Sequence, residues 1–178
     1  MYAVNQYDAV AESYDSLFKD KASIEENRKI ASMLFEVSGI FLDVGCGTGL
    51  LLDILKVSPD EYWGIDPSSK MLDVFRKKHP EYNNLCIPFE LFNLKFATFN
   101  SIVALFGSAS YIDIEALTDI PEGKNIFLMF YKENYHPVTY KRTGCNLEHY
   151  SYSRSELEER FPHCEVREFD NYYIVTNV

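Results

Sequence analysis

Basic residues are scarce in this sequence. Among 178 residues, 17 Lys and Arg stand against 27 Asp and Glu, which gives a formal net charge of −10. A strongly acidic protein is repelled by phosphate backbones, so we expect no nucleic-acid partner. The longest basic run, Arg76-Lys77-Lys78, falls at the end of a predicted helix, where cations complement the helix dipole. It gives no separate reason to expect a phosphate-binding surface.

Long hydrophobic runs and regular cysteine spacings are also missing. No apolar stretch approaches the roughly 20 residues that cross a bilayer, and the first ten residues, MYAVNQYDAV, lack the pattern of a signal peptide. The four cysteines contain no CxxC pair, and the adjacent His163 and Cys164 cannot easily face one tetrahedral zinc ion. We expect a cytoplasmic protein with free thiols, no metal and no membrane segment.

Short apolar segments alternate with amphipathic ones along the chain. Apolar residues recur at three- and four-residue steps between 22 and 37, which predicts a helix, and other helices are predicted at 8–18, 50–55, 69–79 and 155–161. Short apolar runs predict strands at 40–42, 62–66, 85–87, 101–106 and 125–131, and the tail 165–178 predicts a hairpin. This alternation predicts a doubly wound α/β fold, with helices on both faces of a mostly parallel sheet.

No repeat, low-complexity tract or Gly/Ser linker interrupts the chain, so we predict one domain over residues 1–178. Its parts are an N-terminal helical segment (1–38), a ligand-binding core (39–131), and a final helix with the terminal hairpin (132–178).

The most informative stretch, DVGCGTG, lies between a predicted strand and a predicted helix. It begins at Asp43 and ends at Gly49, and three glycines in five residues indicate a sharp turn that a ligand can approach closely. Asp66 ends the next predicted strand, 23 positions after Asp43. In a βαβ unit this spacing places a carboxylate beside the ribose of a nucleoside ligand. The pair of features predicts an adenosine-like ligand, although a purely architectural turn stays possible.

The charge of the turn narrows the choice of ligand. The pattern is GxGxG rather than the dinucleotide pattern GxGxxG, and no lysine lies in or just after it to neutralise a triphosphate. Asp43 is a poor neighbour for a pyrophosphate but an acceptable one for a ligand with an ammonium and a sulfonium. These charges favour S-adenosylmethionine over a nicotinamide dinucleotide.

Two segments, FLDVGCGTGLLLDIL and YWGIDPSSKML, resemble the cofactor-binding half of the class I S-adenosylmethionine-dependent methyltransferases. YDAVAESYDSLF and HYSYSRSELEERF are similar to the segments that begin and end many small-molecule members. The resemblance implies a Rossmann-like sheet of seven strands in the order 3-2-1-4-5-7-6, with the last strand antiparallel, and S-adenosylmethionine as cofactor. One departure is Phe99-Asn100, where the family often has Phe-Asp; the change is expected to weaken hydrogen bonding to neighbouring loops.

The resemblance also implies a set of cofactor contacts. Residues of the glycine turn would contact the methionine end, Asp66 the ribose, Pro67 or Ser68 the adenine, and Tyr14 the methionine carboxylate. Phe89 and Glu90, after the third strand, would meet the adenine amino group. Phe106 and Gly107, after the fourth strand, would face the sulfonium. The residues of the turn that would contact the cofactor are Asp43, Gly45, Cys46, Gly47 and Gly49.

Methyl transfer from a sulfonium needs mainly an acceptor held in line in a site without water, and needs a base only for a protonated acceptor. The candidates for such a base follow the fourth and fifth strands, with His136 the best placed and Tyr111 the next; the others are Tyr131, Tyr135 and His149.

No NPPY- or DPPY-type tetrapeptide follows the fourth strand, where LFGSASYI stands, so a small-molecule acceptor is favoured over a nucleobase. A protein acceptor, or a cofactor-binding regulatory or scaffold subunit without catalysis, stays open.

Overall fold

The computed structural model describes residues 4–34, 39–94, 98–133, 135 and 148–178. Within them, seven strands form one sheet in the order β3-β2-β1-β4-β5-β7-β6. The strands β1 to β5 run parallel, and β7 is antiparallel to both β5 and β6. Both the strand order and the closing hairpin are confirmed. The bounds are β1 Phe41–Val44, β2 Tyr62–Asp66, β3 Asn83–Cys86, β4 Ser101–Ala104, β5 Asn125–Tyr131, β6 Glu165–Glu168 and β7 Tyr172–Thr176.

Helices connect the strands and cover the sheet. Several begin at a side-chain cap, as expected for Asp and Ser at helix starts: Asp20 accepts from the backbone N–H of Ser23, and Ser153 forms a capping box with Glu156. The helices are α1 Val4–Val10, α2 Lys21–Ser32, α3 Leu50–Ile54, α4 Ser69–Lys78, α5 Ile114–Thr118 and α6 Arg154–Arg160, with 3₁₀ turns at Ala11–Phe18, Pro59–Glu61, Phe89–Leu91 and Ser108–Tyr111.

Several element predictions differ from the structure, among them the strands predicted at 40–42 and 85–87, which are Phe41–Val44 and Asn83–Cys86. The first predicted helix (8–18) is instead α1 followed by the 3₁₀ helix, and β4 ends at Ala104 rather than at Phe106. The strand ends early because Phe106 and Gly107 have positive φ angles of 53° and 86°, which turn the chain out of the sheet. The short helix α5 was not predicted. The second predicted helix (22–37) ends at Ser32, and its last predicted residues, 35–37, lie outside the described residues.

A hydrophobic core lies on each face of the sheet. Successive side chains of a strand point to opposite faces, so Leu42 and Val44 of β1 join one core while Phe41 joins the other. Helices α5 and α6 pack in the first core and helices α2 and α4 in the second. Helices on both faces of a buried parallel sheet are confirmed. Among the described residues, no helix is long and apolar enough to span a membrane.

Candidate cofactor site

The glycine turn follows β1 and is fixed against β2. The backbone N–H groups of Gly45 and Cys46 both donate to the carbonyl oxygen of Ile65, at 2.8 and 3.1 Å. Gly45, Gly47 and Gly49 have φ angles of 72°, 54° and 85°, which side chains with a Cβ rarely adopt. The sharp turn predicted at the exit of β1 is therefore present.

Protein side chains occupy the space that a Cβ would take at these glycines. A Cβ on Gly45 would lie 2.6 Å from Ser108 Oγ, one on Gly47 3.1 Å from Met71 Cε, and one on Gly49 2.5 Å from a His79 ring atom. These contacts lie only in the direction of each Cβ, so close approach of a ligand to the turn stays a prediction. The glycines are needed for the backbone conformation and for close packing of the turn against its neighbours.

Asp66, at the end of β2, lies beside this turn with its carboxylate fixed in place. Its Oδ2 accepts from the N–H of Gly47 at 3.0 Å, and its Oδ1 accepts from the N–H of Ser68 at 2.7 Å. The side chain is 8% exposed, and burial raises its pKa to about 6, while the two backbone donors oppose the shift and Asp8 adds to it. Each carboxylate oxygen keeps a second lone pair that a ligand hydroxyl can use.

Asp43 supplies a second buried carboxylate. It is 4% exposed, and its Oδ2 accepts a hydrogen bond from the Tyr62 hydroxyl at 2.7 Å. Burial raises the pKa of Asp43 to about 7; the Tyr62 hydrogen bond opposes this shift, and the charge of Asp66 adds to it. Cys46 is buried nearby, and burial raises the pKa of its thiol, so it stays neutral.

The electrostatics of these two carboxylates favour a cation. Among the described residues, no Lys, Arg or His forms an ion pair with Asp43 or Asp66. Two buried carboxylates that repel each other and lack a basic partner gain most from a positively charged ligand.

The N-terminal helices contact the glycine turn and the residues after β2 through two aspartates. Asp8 accepts from the Ser68 hydroxyl at 2.5 Å, and Asp15 accepts from the Thr48 hydroxyl at 2.5 Å while pairing with Lys78 Nζ at 2.7 Å. Tyr14, the residue before Asp15, is half-buried, and its desolvation and the charges of Tyr111 and Asp66 raise its pKa. The structure thus brings the predicted Tyr14 close to the predicted Asp66.

Beyond β4, the chain is held in a strained turn. Phe106 is the one described non-glycine residue with a positive φ, a conformation that costs energy and is common at functional sites. The Tyr131 hydroxyl donates to the carbonyl of Phe106 at 3.0 Å, and a Cβ on Gly107 would clash with the Tyr131 ring. Tyr131 therefore fixes the two residues expected near the sulfonium.

Aromatic rings gather next to this turn. Tyr7 contacts Tyr14 and Tyr111, with ring centroids 6.1 and 5.7 Å apart, and His149 lies 5.9 Å from Tyr111 and 5.4 Å from Tyr131. A cavity of about 40 Å³ opens between this cluster and helix α2. Tyr111, one of the two candidate bases, belongs to the cluster; the other, His136, lies outside the described residues.

The remaining predicted residues have other surroundings. Phe89 is buried in a hydrophobic core, and Glu90 accepts from the N–H of Asp113 at 3.3 Å, at the start of α5. The Pro67 carbonyl accepts from the Cys86 thiol at 3.7 Å, which joins the ends of β2 and β3. The side-chain oxygen of Asn100 accepts a hydrogen bond from the N–H of Ile40 at 3.0 Å. Asn100 therefore still forms a hydrogen bond to a neighbouring loop.

Sequence reasoning missed four side chains that organise the site: Tyr62, Ser108, Asp8 and Asp15. The two aspartates are seven positions apart and bracket Tyr14, a spacing that places them on one side of a helix, and this signal was available. Tyr62 and Ser108 gave no such signal, because their contacts depend on how strands and turns pack.

The described residues contain no cluster of three or more His, Cys, Asp or Glu able to hold a metal ion.

Comparison with known proteins adds to this geometry. A family model for a methyltransferase domain matches residues 41–120, from β1 to just past α5. This match covers less than half of the chain and supports its resemblance to the S-adenosylmethionine-dependent methyltransferases. It is 29% identical over 113 residues to the uncharacterized protein MJ1252 of Methanocaldococcus jannaschii, a match that covers 61% of this chain and 41% of that protein. The match therefore spans well under two thirds of the length of that relative.

Two solved methyltransferase structures are similar in fold. One is a Thermotoga maritima S-adenosylmethionine-dependent methyltransferase, described as a possible histamine N-methyltransferase, with 15% identity, a TM-score of 0.72 and coverage of 99% of this chain and 100% of that chain. The other is the magnesium protoporphyrin IX methyltransferase of Synechocystis PCC 6803 with bound SAH, with 13% identity, a TM-score of 0.66 and coverage of 93% and 91%. At these identities the likeness shows a shared fold.

Proposed function

We propose that this methyltransferase chain binds S-adenosylmethionine and methylates a small molecule by in-line transfer, driven mainly by proximity and desolvation. The observation that carries the proposal is the buried carboxylate of Asp66, held beside the glycine turn by the N–H groups of Gly47 and Ser68. With Asp43 it forms a pair of buried carboxylates near the carboxyl ends of the strands, where ligands of such sheets bind.

Each proposed contact follows from a group that the structure positions. Asp66 accepts hydrogen bonds from the ribose hydroxyls, and Pro67 and Ser68 border the adenine. Asp43, the glycine turn and Tyr14 contact the charged methionine end of the cofactor. The cofactor supplies a methyl group already activated on a positively charged sulfur.

The tyrosine cluster supports proximity rather than base catalysis as the main effect. Burial raises the pKa of Tyr111 to about 12, and it also raises the pKa values of Tyr7, Tyr14 and Tyr131. These hydroxyls therefore stay protonated at neutral pH and are poor general bases. Their rings exclude water, and Tyr131 and Ser108 hold the turns that border the reacting end.

Calorimetry with S-adenosylmethionine and S-adenosylhomocysteine tests the binding step. We expect micromolar affinity, and Asp66→Asn should weaken binding by about 2 kcal/mol, or roughly thirtyfold, because it loses charge-assisted hydrogen bonds. Asp60→Asn, in an exposed turn, is the matched control and should leave affinity unchanged. Absence of binding to both ligands, or equal affinities of the two variants, would overturn the assignment.

A methyl-transfer screen against metabolites tests the choice of acceptor. Transfer to a small molecule supports the proposal. Transfer only to proteins in a lysate, or cofactor binding without any transfer, would replace it with a protein methyltransferase or with a cofactor-binding subunit.

A further inference from the structure

The hydroxyl of Tyr111 is buried, and among the described residues its proton has no acceptor. The neighbouring Tyr131 differs, because its hydroxyl donates to the Phe106 carbonyl at 3.0 Å. A buried polar group without a partner costs free energy, so its presence in a folded chain needs an explanation. A ligand that supplies the acceptor is one such explanation.

Two other described side-chain atoms are buried without a hydrogen-bond partner, but both lie in a structural setting. Nε2 of His79 is 3.1 Å from the carboxylate of Asp53. Ser101 begins β4, at the end of the strand away from the glycine turn. Tyr111 instead follows the carboxyl end of β4, the side of such sheets on which ligands bind.

The 3₁₀ turn that ends at Tyr111 is held from two sides. Ser108 Oγ donates to the Gly45 carbonyl at 3.3 Å, and Ser110 Oγ accepts from the N–H of Tyr131 at 2.7 Å. These bonds join the turn to the glycine turn and to the end of β5. Tyr111 is therefore fixed next to the residues expected at the reacting end of the cofactor.

Aromatic rings surround Tyr111. Its ring centroid lies 5.7 Å from that of Tyr7, 5.9 Å from that of His149 and 6.5 Å from that of Tyr131. Burial raises the pKa of Tyr111 to about 12; the Tyr7 hydroxyl, a donor toward the Tyr111 oxygen, opposes the shift, and the charge of Tyr135 adds to it. Tyr111 therefore keeps its proton at neutral pH and is available as a hydrogen-bond donor.

These surroundings favour a neutral hydrogen-bond acceptor. A carbonyl oxygen or a ring nitrogen accepts the proton, while the rings contact the apolar atoms around it. An anion would also accept the proton, but burying its charge among rings costs more than one hydrogen bond returns. A purely apolar group would leave the hydroxyl unpaired.

We propose that Tyr111 determines specificity by donating a hydrogen bond to a neutral oxygen or nitrogen atom of the methyl acceptor. The inference rests on the proposed function, because it takes the rings around Tyr111 to be the acceptor side of the cofactor site. The rings shield the hydroxyl from water, so the acceptor displaces one of them as it binds. The proton stays on Tyr111, and the hydrogen bond orients the acceptor without taking part in bond making.

Pyridine and benzene test the donor directly, because they share a flat ring and differ in one acceptor atom. Each is titrated into the full chain and into Tyr111→Phe by ligand-observed NMR, at a mildly alkaline pH where pyridine is neutral. We expect the affinity of pyridine relative to benzene to fall about fivefold in the variant, the worth of one neutral hydrogen bond.

Tyr150→Phe is the matched control, because Tyr150 is exposed, and it should leave the ratio of the two affinities unchanged. An unchanged ratio in Tyr111→Phe, an equal fall in both variants, or no binding of pyridine to the parent chain would overturn the inference.

Urea denaturation checks that the Tyr111 hydroxyl has no partner within the protein. Tyr111→Phe removes an unpaired buried hydroxyl, so its denaturation midpoint should not fall. Tyr131→Phe loses the hydrogen bond to Phe106 and should have a lower midpoint. A midpoint below that of the parent chain for Tyr111→Phe would indicate a structural hydrogen bond and contradict the inference.

Cofactor affinity, measured on the same proteins, separates this inference from the proposed function. Tyr111→Phe should bind S-adenosylmethionine as the parent chain does. Cofactor binding without a contribution of Tyr111 to pyridine binding defeats the specificity inference alone. A preference for pyridine that depends on Tyr111, without cofactor binding, defeats the proposed function and leaves only a ligand site among the rings.

Discussion

The hydroxyl of Tyr62 donates a hydrogen bond of 2.7 Å to the carboxylate of Asp43, and both groups are buried. Tyr62 begins β2 and Asp43 lies within β1, so this contact joins the two strands whose ends form the proposed cofactor site. The hydrogen bond holds Asp43 in place and opposes the rise in its pKa that burial causes. It therefore links the stability of the core to the charge of the site.

Removing this hydrogen bond should damage both stability and cofactor binding. Tyr62→Phe leaves a buried carboxylate without its donor, and we expect a loss of about 1–3 kcal/mol in the free energy of unfolding, measured by urea denaturation. Tyr82→Phe is the control, because it loses a hydrogen bond to the Val57 carbonyl without touching Asp43. Only the Tyr62 variant should also bind S-adenosylmethionine more weakly; equal cofactor affinities would contradict the role given to Asp43.

The raised pKa values of Asp43 and Asp66 predict how stability depends on pH. Both carboxyls have an ordinary pKa of 3.8 and values of about 7 and about 6 in the folded chain, so the folded state binds protons more readily than the unfolded state. Their contribution to stability is full below about pH 4 and is lost as pH rises through 6 and then 7. Urea denaturation of the ligand-free chain should show this decline, and Asp43→Asn should reduce its slope.

Cofactor affinity should change in the opposite direction over the same range. A cationic ligand favours the ionised carboxylates, so S-adenosylmethionine should bind on the order of tenfold more tightly at about pH 8 than at about pH 5. Calorimetry in buffers of different ionisation enthalpy should detect proton release on binding near pH 6.5. Proton uptake on binding would contradict the assignment of these carboxylates to the site.

Gly107 should be needed for packing as well as for its backbone conformation. Gly107 and Gly123 have similar φ angles, 86° and 82°, but a Cβ would clash with the Tyr131 ring at the first position and meet nothing within 4 Å at the second. Gly123→Ala should therefore cost about 1 kcal/mol, the backbone cost alone, and Gly107→Ala about 3 kcal/mol or more. Similar urea denaturation midpoints for the two variants would show that Tyr131 does not pack there.

The N-terminal helices should loosen when Asp15 loses its charge. The pair of Asp15 and Lys78 is partly exposed, so Asp15→Asn should lower global stability by less than about 1 kcal/mol. Hydrogen exchange of residues 4–18 should nevertheless accelerate, while exchange in β1 and β4 stays slow. Glu12→Gln, an exposed control on the same segment, should not accelerate it.

Much of the fold followed from local patterns. The apolar runs of β1, β2 and β5 are bounded by turn residues. The strand order was implied by the resemblance of the DVGCGTG segment to the class I methyltransferases. The position of Asp66 beside the glycine turn also followed, because the carboxyl ends of adjacent parallel strands lie at one edge of the sheet. These features depend on sequence within one βαβ unit.

Other features depend on packing between distant segments, which sequence patterns do not encode. The hydrogen bond of Tyr62 to Asp43 needs the register of β1 against β2, and the contact of Ser108 with Gly45 joins positions 63 apart. Helix α5 has only five residues, too few for a repeating apolar face. The early end of β4 depends on the positive φ of Phe106, a conformation that its residue type disfavours.

A crystal structure with S-adenosylhomocysteine bound tests the assignment of the site most directly. We predict that ribose hydroxyls lie within about 3 Å of the Asp66 carboxylate oxygens, a hydrogen-bonding distance, while Gly47 and Ser68 keep their bonds to the same group. A ligand bound elsewhere, with Asp66 bonded to protein atoms alone, would contradict the proposed cofactor site.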